Sequence, residues 1–387
     1  MKVNYDYSFV SPKEKEKVRK ESSLVVEVDK SLKVNKFDNA YVLPLIWAGT
    51  RGGVSTENGE LIKSTSTQHI VDLYDYDKDK VVRNHKRAIY IGSFSNYVWG
   101  HCFTEHFGKL WFLDTPECAR LRSEGVELVY AAQYEEKQYF KELMRLAGLN
   151  ISDARRITMV EQFDELYLPD DSFFSTEMCE PRYFTTIYRT TIKKVKENVF
   201  KEMQGGSFIT YDKIYLTRTQ GTFSRLMRDF GERKIEKVFE KCGYKVIAPE
   251  KLTVQQQIWL MMHVDYLATT EGSVAHTAVF CKEGTHIALL RKADWVSMHQ
   301  VAVNECARLE ATYIDAHHST YNPKDKPWAG PFYLYLSPYL KHFLGIKEFS
   351  MPPYLQFDYW IYCLREVYMR TLRQNKMVDS MVRKLIK

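Results

Sequence analysis

"YKVIAPEKLTVQQQIWLMMHVDYLATTEGSVAHTAVFCKEGTHIALL", residues 244–290, alternates short apolar runs with longer helix-periodic ones. Residues 244–248, 265–269 and 286–290 read as strands, because each is short, apolar and bounded by Gly, Pro or charged residues. Residues 253–264 read as a helix with Thr253 as its N-cap. Residues 273–282 read as a second helix, entered through Glu271 and Gly272. Just upstream, 213–217 is a further strand and 232–242 a helix stopped by Gly243. Four strands alternating with three helices predict a parallel α/β sheet of the nucleotide-binding kind.

The same alternation, less regular, runs through the first half. Residues 42–48 read as a strand, 72–80 as a strand entering a charged turn, and 88–91 as a strand. A helix-periodic stretch follows, with Val98, Phe103, Phe107, Leu110 and Leu113 as its apolar positions. Strand 126–132, helix 135–149 and strand 155–160 complete a second mostly parallel unit. A long helix over 183–203 ends at Gly205-Gly206, where the linker is placed. Residues 1–37 read as a polar lead-in, 38–205 as an N-terminal α/β domain and 206–345 as a C-terminal α/β domain. Residues 346–387 read as terminal helices packing back on the first domain.

The chain has 387 residues. A single core stops growing at roughly 250–300 residues, so two domains are expected. No run of about 18 apolar residues is present to suggest a membrane-spanning helix, and the N-terminus has no apolar signal region. The seven cysteines are scattered and odd in number, without metal-ligand spacing. They read as reduced thiols of a cytoplasmic protein. Net charge is +6, and the 27 residues from Ile361 hold seven Lys/Arg against two acids. The rest of the chain is therefore nearly neutral, which excludes a broad nucleic-acid surface. The basic tail suits packing of its apolar stripe on the body, with attraction to an anionic membrane surface as a second role.

Several groups of residues could carry chemistry. His101 and Glu105 are four apart on the opening helix and share a face, with His106 one step round. A carboxylate beside a His suits general-base work; the plainer reading is a surface pair, and two ligands do not make a metal site. At "TEGSVAH", a strand end, Gly272, Ser273 and a helix N-terminus would form an anion cradle, with Glu271 as a ribose partner. Ordinary turn chemistry accounts for most such Gly/Ser pairs. "YLTRTQGTFSRLMRDFGER" supplies Arg218, Arg225 and Arg228 beyond a strand end, where guanidinium forks would match phosphate oxygens. "DYDKDK" (75–80) could hold a divalent cation but reads better as a solvated turn.

The order of these motifs resembles glycosyltransferase family 61. The chain shows "NYVWGHCFTEHFGKLWFL" for a His-x-x-x-Glu/Asp helix, "YLTR" for a strand end, and "RDFGE" for an Arg-x-x-Asn-Glu helix start. It continues with "GYKVIAPEKLTVQQQI" and "EGSVAHTAVF". It departs from the family pattern at Gly231, Glu271 and His276. The resemblance implies a GT-B-like fold, with two Rossmann-like domains facing across a cleft and a C-terminal helical segment. It implies inverting, metal-independent transfer from a nucleotide-sugar, with no cofactor, to a glycan or lipid-linked acceptor, in bacterial surface polysaccharide or capsule synthesis. Glu105 and His101 would be catalytic. Arg218, Arg225, Arg228, Glu232, Glu271, Gly272, Ser273 and His276 would bind donor, and Asn96, Tyr97 and His106 acceptor. Alternatives are pyruvyl or phospho-sugar transfer on a similar fold, and a non-catalytic glycan- or nucleotide-binding protein.

Overall fold

The computed structural model describes residues 3–46, 51–65, 72–94, 97–174, 182–206, 208–220, 229–318, 330–347 and 350–369. It is a mixed α/β structure built on two six-stranded sheets. One is parallel throughout, in the order Asn4–Phe9, Glu310–Asp315, His286–Arg291, Tyr266–Thr270, Lys213–Leu216, Lys245–Ile247. The other runs Gly53–Ser55, Val34–Leu43, Glu161–Pro169, Val82–Phe94, Glu127–Ala132, Ala154–Ile157. There Val34–Leu43 is antiparallel to both neighbours, and the remaining pairs are parallel. One apolar cluster joins both sheets, with Ile89, Phe103 and Leu128 from one side and Ile214, Leu267 and Leu289 from the other.

The four strands read from residues 213–290 all form and all pair parallel. Thr253 caps the helix Val254–His263 through a capping box. Its hydroxyl accepts from the Gln256 N–H at 3.2 Å, and the Gln256 side chain accepts from the Thr253 N–H at 3.0 Å.

The N-terminal segment differs from the polar lead-in expected over 1–37. Asn4–Phe9 is an edge strand of the parallel sheet, paired with Glu310–Asp315. Tyr5 and Tyr7 stack on Tyr313, with ring centroids 6.2 Å away in each case. The charge that suggested a lead-in belongs to the helix Pro12–Glu21, which buries only Val18.

Three further stretches differ in detail. Residues 72–77 make a single bridge, Arg51 to Asp72, and a short 3-10 turn follows at Lys78–Lys80. Asp75, Asp77 and Asp79 are exposed, as a solvated turn requires. The helix begun at Trp99 stops at Thr104 and resumes as a 3-10 turn at Leu110–Asp114. Within the break the Gly108 carbonyl accepts from both the Ser172 N–H and the Ser172 hydroxyl at 2.8 Å. The helix expected from Ser273 is a six-residue 3-10 turn, Ala275–Phe280, buried along its whole length.

The helix Phe357–Val367 packs Tyr359 and Tyr362 against Phe230 and Tyr333. Over its described residues it therefore rests on the second half, not on the first domain as residues 346–387 were expected to do. Phe230 and Tyr333 belong to a two-stranded parallel pair that offers the tyrosines an aromatic seat.

Candidate functional site

Register in the parallel sheet sets one end of the site. Leu216 pairs with Thr269 and Thr270 with Leu290. The chain segments that follow, at Arg218, Glu271-Gly272 and Lys292, therefore emerge together at the carboxyl edge. In open α/β sheets this edge is where ligands bind.

Arg218 and Lys292 converge over Gly272. A Cβ built on Gly272 would lie 3.2 Å from Arg218 Nη1 and 3.5 Å from Lys292 Nζ, and φ there is +130°. Only glycine combines that backbone with so close a cationic approach. Asp229 lies beneath both cations, 3.2 Å from Arg218 and 3.9 Å from Lys292. Glu232 accepts from the Tyr215 hydroxyl at 3.1 Å and from the Arg218 N–H at 3.3 Å. Burial pushes the Glu232 carboxyl up to about 7, with help from Asp229 and against Arg218 and Lys292. Burial pushes Glu271 up to about 8, against Arg291 and Lys292. Near neutral pH these two acids carry much less negative charge than ordinary carboxylates. The basket is thus less repulsive to an anion than its composition suggests.

The second cluster sits where the helix Trp99–Thr104 meets the turn after Gly272. Gly100 makes the contact: a Cβ there would fall 2.4 Å from His276 Nδ1 and 3.0 Å from Ser273 Cα. Beside it Trp99 Nε1 donates to Thr277 Oγ1 at 2.7 Å. On this seam Glu105 is held by two imidazoles, His101 Nδ1 at 2.5 Å and His299 Nε2 at 3.2 Å. His276 stacks on His299, ring centroids 5.8 Å apart. The Glu105 side chain is only 8% exposed, against 16% for His101 and 6% for His299.

A carboxylate so enclosed would be costly without partners. Burial alone would raise its pKa, but the charges and hydrogen bonds of His101 and His299 hold it well below the usual carboxylate range. The reverse holds at His101. Burial lowers its pKa, and Glu105 more than restores it, so the imidazole is raised above its ordinary value. His276, buried beside His299 and His101, is held well below the ordinary range and stays neutral. The plainer reading, a surface pair, is therefore not met: the ionisable groups are buried and pair with one another.

The donor atoms of His101, Glu105 and His299 all lie within 4.8 Å of one another. Two imidazoles and a carboxylate could ligate a first-row transition ion. As placed, both direct hydrogen bonds fall on Glu105 Oε1, and the buried Oε2 has no hydrogen-bond partner among the described residues.

Of the residues singled out in the sequence, His101, Glu105 and His276 come together at the seam, with Ser273 against the same helix. Arg218, Glu232, Glu271 and Gly272 come together at the sheet edge. His106 is buried with its ring against Phe94 and Phe140, at 5.1 and 5.8 Å. Tyr97 packs on Phe140 and donates from its hydroxyl to the Tyr134 carbonyl at 2.9 Å. Asn96, Arg225 and Arg228 lie outside the described residues. Lys292, Asp229, His299 and Gly100 were not singled out. Lys292 follows a strand end directly, the signal that marked Arg218. His299 is 194 residues from its partner Glu105, and no spacing rule connects them.

Residues 99–288 match the family model Glycosyltransferase 61. No curated protein matches the chain. The matched span holds Glu105 and Arg218 but ends just before Lys292 and His299, which complete the two clusters.

Proposed function

We propose, for a chain that residues 99–288 assign to glycosyltransferase family 61 and that is accordingly a glycosyltransferase, an inverting and metal-independent transfer. The donor is a nucleotide-sugar and the acceptor a glycan hydroxyl, on a free or lipid-linked chain. The setting is bacterial surface polysaccharide synthesis on the cytoplasmic side, and the two halves act as the facing domains of a GT-B arrangement. The donor diphosphate lies on Arg218 and Lys292 above Gly272, with Glu271 and Glu232 toward the nucleoside. The 3-10 turn at Ala275–Phe280 offers little dipole, so side-chain cations replace the helix terminus as the main anion partners.

The observation that carries this reading is the short segment between the clusters. Gly272 lies under the cations and His276 lies against the His–Glu–His group. An extended chain spans at most about 14 Å between two such positions. A sugar diphosphate bridges that distance, with its anomeric carbon toward the seam.

The acceptor oxygen attacks the anomeric carbon as the bond to the phosphate oxygen breaks, and the nucleoside diphosphate leaves with the electron pair. The acceptor proton needs a base. Glu105 was expected to be that base, with His101 beside it. Its depressed pKa makes it a weak base and a good orienting group. Glu105 accepts from His101 Nδ1–H, so Nε2 is the basic nitrogen of the neutral ring. His101 therefore takes the proton and Glu105 stabilises the imidazolium, a division of labour that general acid–base catalysis favours.

A thermal-shift screen with UDP, GDP and CMP tests the donor class. One of them should stabilise the protein, and Arg218→Ala or Lys292→Ala should weaken that binding about tenfold or more, because each removes charge-assisted hydrogen bonds worth about 1.5–3 kcal/mol. Transfer should persist in the presence of a chelator. No shift with any nucleotide would remove the donor assignment and leave the pyruvyl-transfer or binding-protein alternatives.

A further inference from the structure

The helix Phe357–Val367 has two unlike faces. Its inner face buries Tyr359, Tyr362 and Glu366. Its outer face presents Phe357 at 81% exposure, Leu364 at 72% and Trp360 at 57%, with Ile361 beside them. Positions 357, 360, 361 and 364 are one helical stripe. Tyr354 and Leu355, both more than half exposed, extend the same apolar surface at its start. Large side chains gathered this closely are unusual on a monomer surface and mark an interaction site. The packing of the apolar stripe on the body, favoured from sequence, is not made by these turns.

Charge identifies the occupant. The sequence continues from this helix into residues 370–387, with six Lys/Arg and one acid. The one acid on the first turn, Asp358, is already paired with Lys234 at 2.9 Å and accepts from the Tyr333 hydroxyl at 3.1 Å. An apolar stripe with an interfacial Trp, followed by a basic run, fits the surface of an anionic bilayer. A second copy of the chain would bring two equally basic tails together, which like-charge repulsion disfavours. Among the described residues no helix is long and apolar enough to cross a membrane, so the contact is interfacial.

We infer that the outer face of Phe357–Val367, with the basic residues that follow it, docks this protein on an anionic phospholipid surface. This rests on none of the catalytic roles above. The test is flotation of the full chain with phosphatidylcholine vesicles made with and without phosphatidylglycerol. The protein should float with the anionic vesicles, much less with the zwitterionic ones, and less as salt rises. Phe357→Ser/Trp360→Ser/Leu364→Ser should cut partitioning about tenfold or more while leaving the melting temperature close to wild type, because these side chains are exposed. Replacing the Lys/Arg of 370–387 by Gln is the second variant, and it should remove the preference for phosphatidylglycerol. The inference fails if the wild type floats with neither vesicle, or if the triple variant floats as well as the wild type. It fails equally if the triple variant only abolishes a concentration-dependent dimer.

Discussion

Glu105 is the residue on which the site turns, and its surroundings explain both what could be foreseen and what could not. The His101–Glu105 spacing is local and legible, since four residues make one helical turn. The His299 contact depends on tertiary packing and leaves no trace in spacing. Glycines carry similar information. Gly231 stands where the family pattern has Asn, and the fold gives a reason: φ is +82° and a Cβ would meet the Leu334 carbonyl oxygen at 1.9 Å. Gly100 is needed for the seam itself. Gly100→Ala should destabilise the protein by about 1–3 kcal/mol through overpacking against His276, read as a lowered melting temperature; an unchanged melt would mean the seam is looser than described. Glu271 makes a pH prediction. Its folded pKa is raised to about 8 from 4.5, so the folded state binds the proton more tightly than the unfolded state. That stabilisation is complete below about pH 4.5 and declines as pH rises through 8. Glu271→Gln should flatten stability against pH over that window, checked by thermal melts across it; an unaltered slope would contradict the burial-driven shift.

Among the elements, the regular ones were legible and the strained ones were not. Strands 213–217, 265–269 and 286–290 are legible because both faces of a parallel sheet are covered and their central positions are mostly apolar. The edge strand Asn4–Phe9 alternates Tyr5, Tyr7 and Phe9 with polar residues, but a charged helix beside it masked the pattern, and its partner strand lies some 300 residues away. The turn after Gly272 misled in another way. Its small and apolar residues fit a helix, yet all six are buried where only a tight 3-10 turn fits. That outcome is why the proposed phosphate site rests on Arg218 and Lys292 and not on a helix end. The strand-end rule that selected Arg218 applies equally to Lys292. His101 and Arg218 therefore sit on elements whose position could be read, while His299 and Asp229 reach the site only through the packing of distant segments.

At the scale of the whole molecule, the two sheets share one apolar cluster, and the helix Trp99–Thr104 meets the segment after Tyr266–Thr270 along a closely packed seam. The proposed function places catalysis beside that seam, with cations on one side and the buried His–Glu–His group on the other. The outer stripe of Phe357–Val367 would hold the same molecule against a charged lipid surface. The most direct measurement of the central claim is nucleotide-sugar turnover by Glu105→Gln, with nucleoside diphosphate affinity measured on the same sample. The substitution keeps the shape of the side chain and removes the charge that orients and stabilises His101. Unchanged affinity with turnover reduced by about 10²–10⁴ is expected. Turnover near that of the wild type would contradict the assignment.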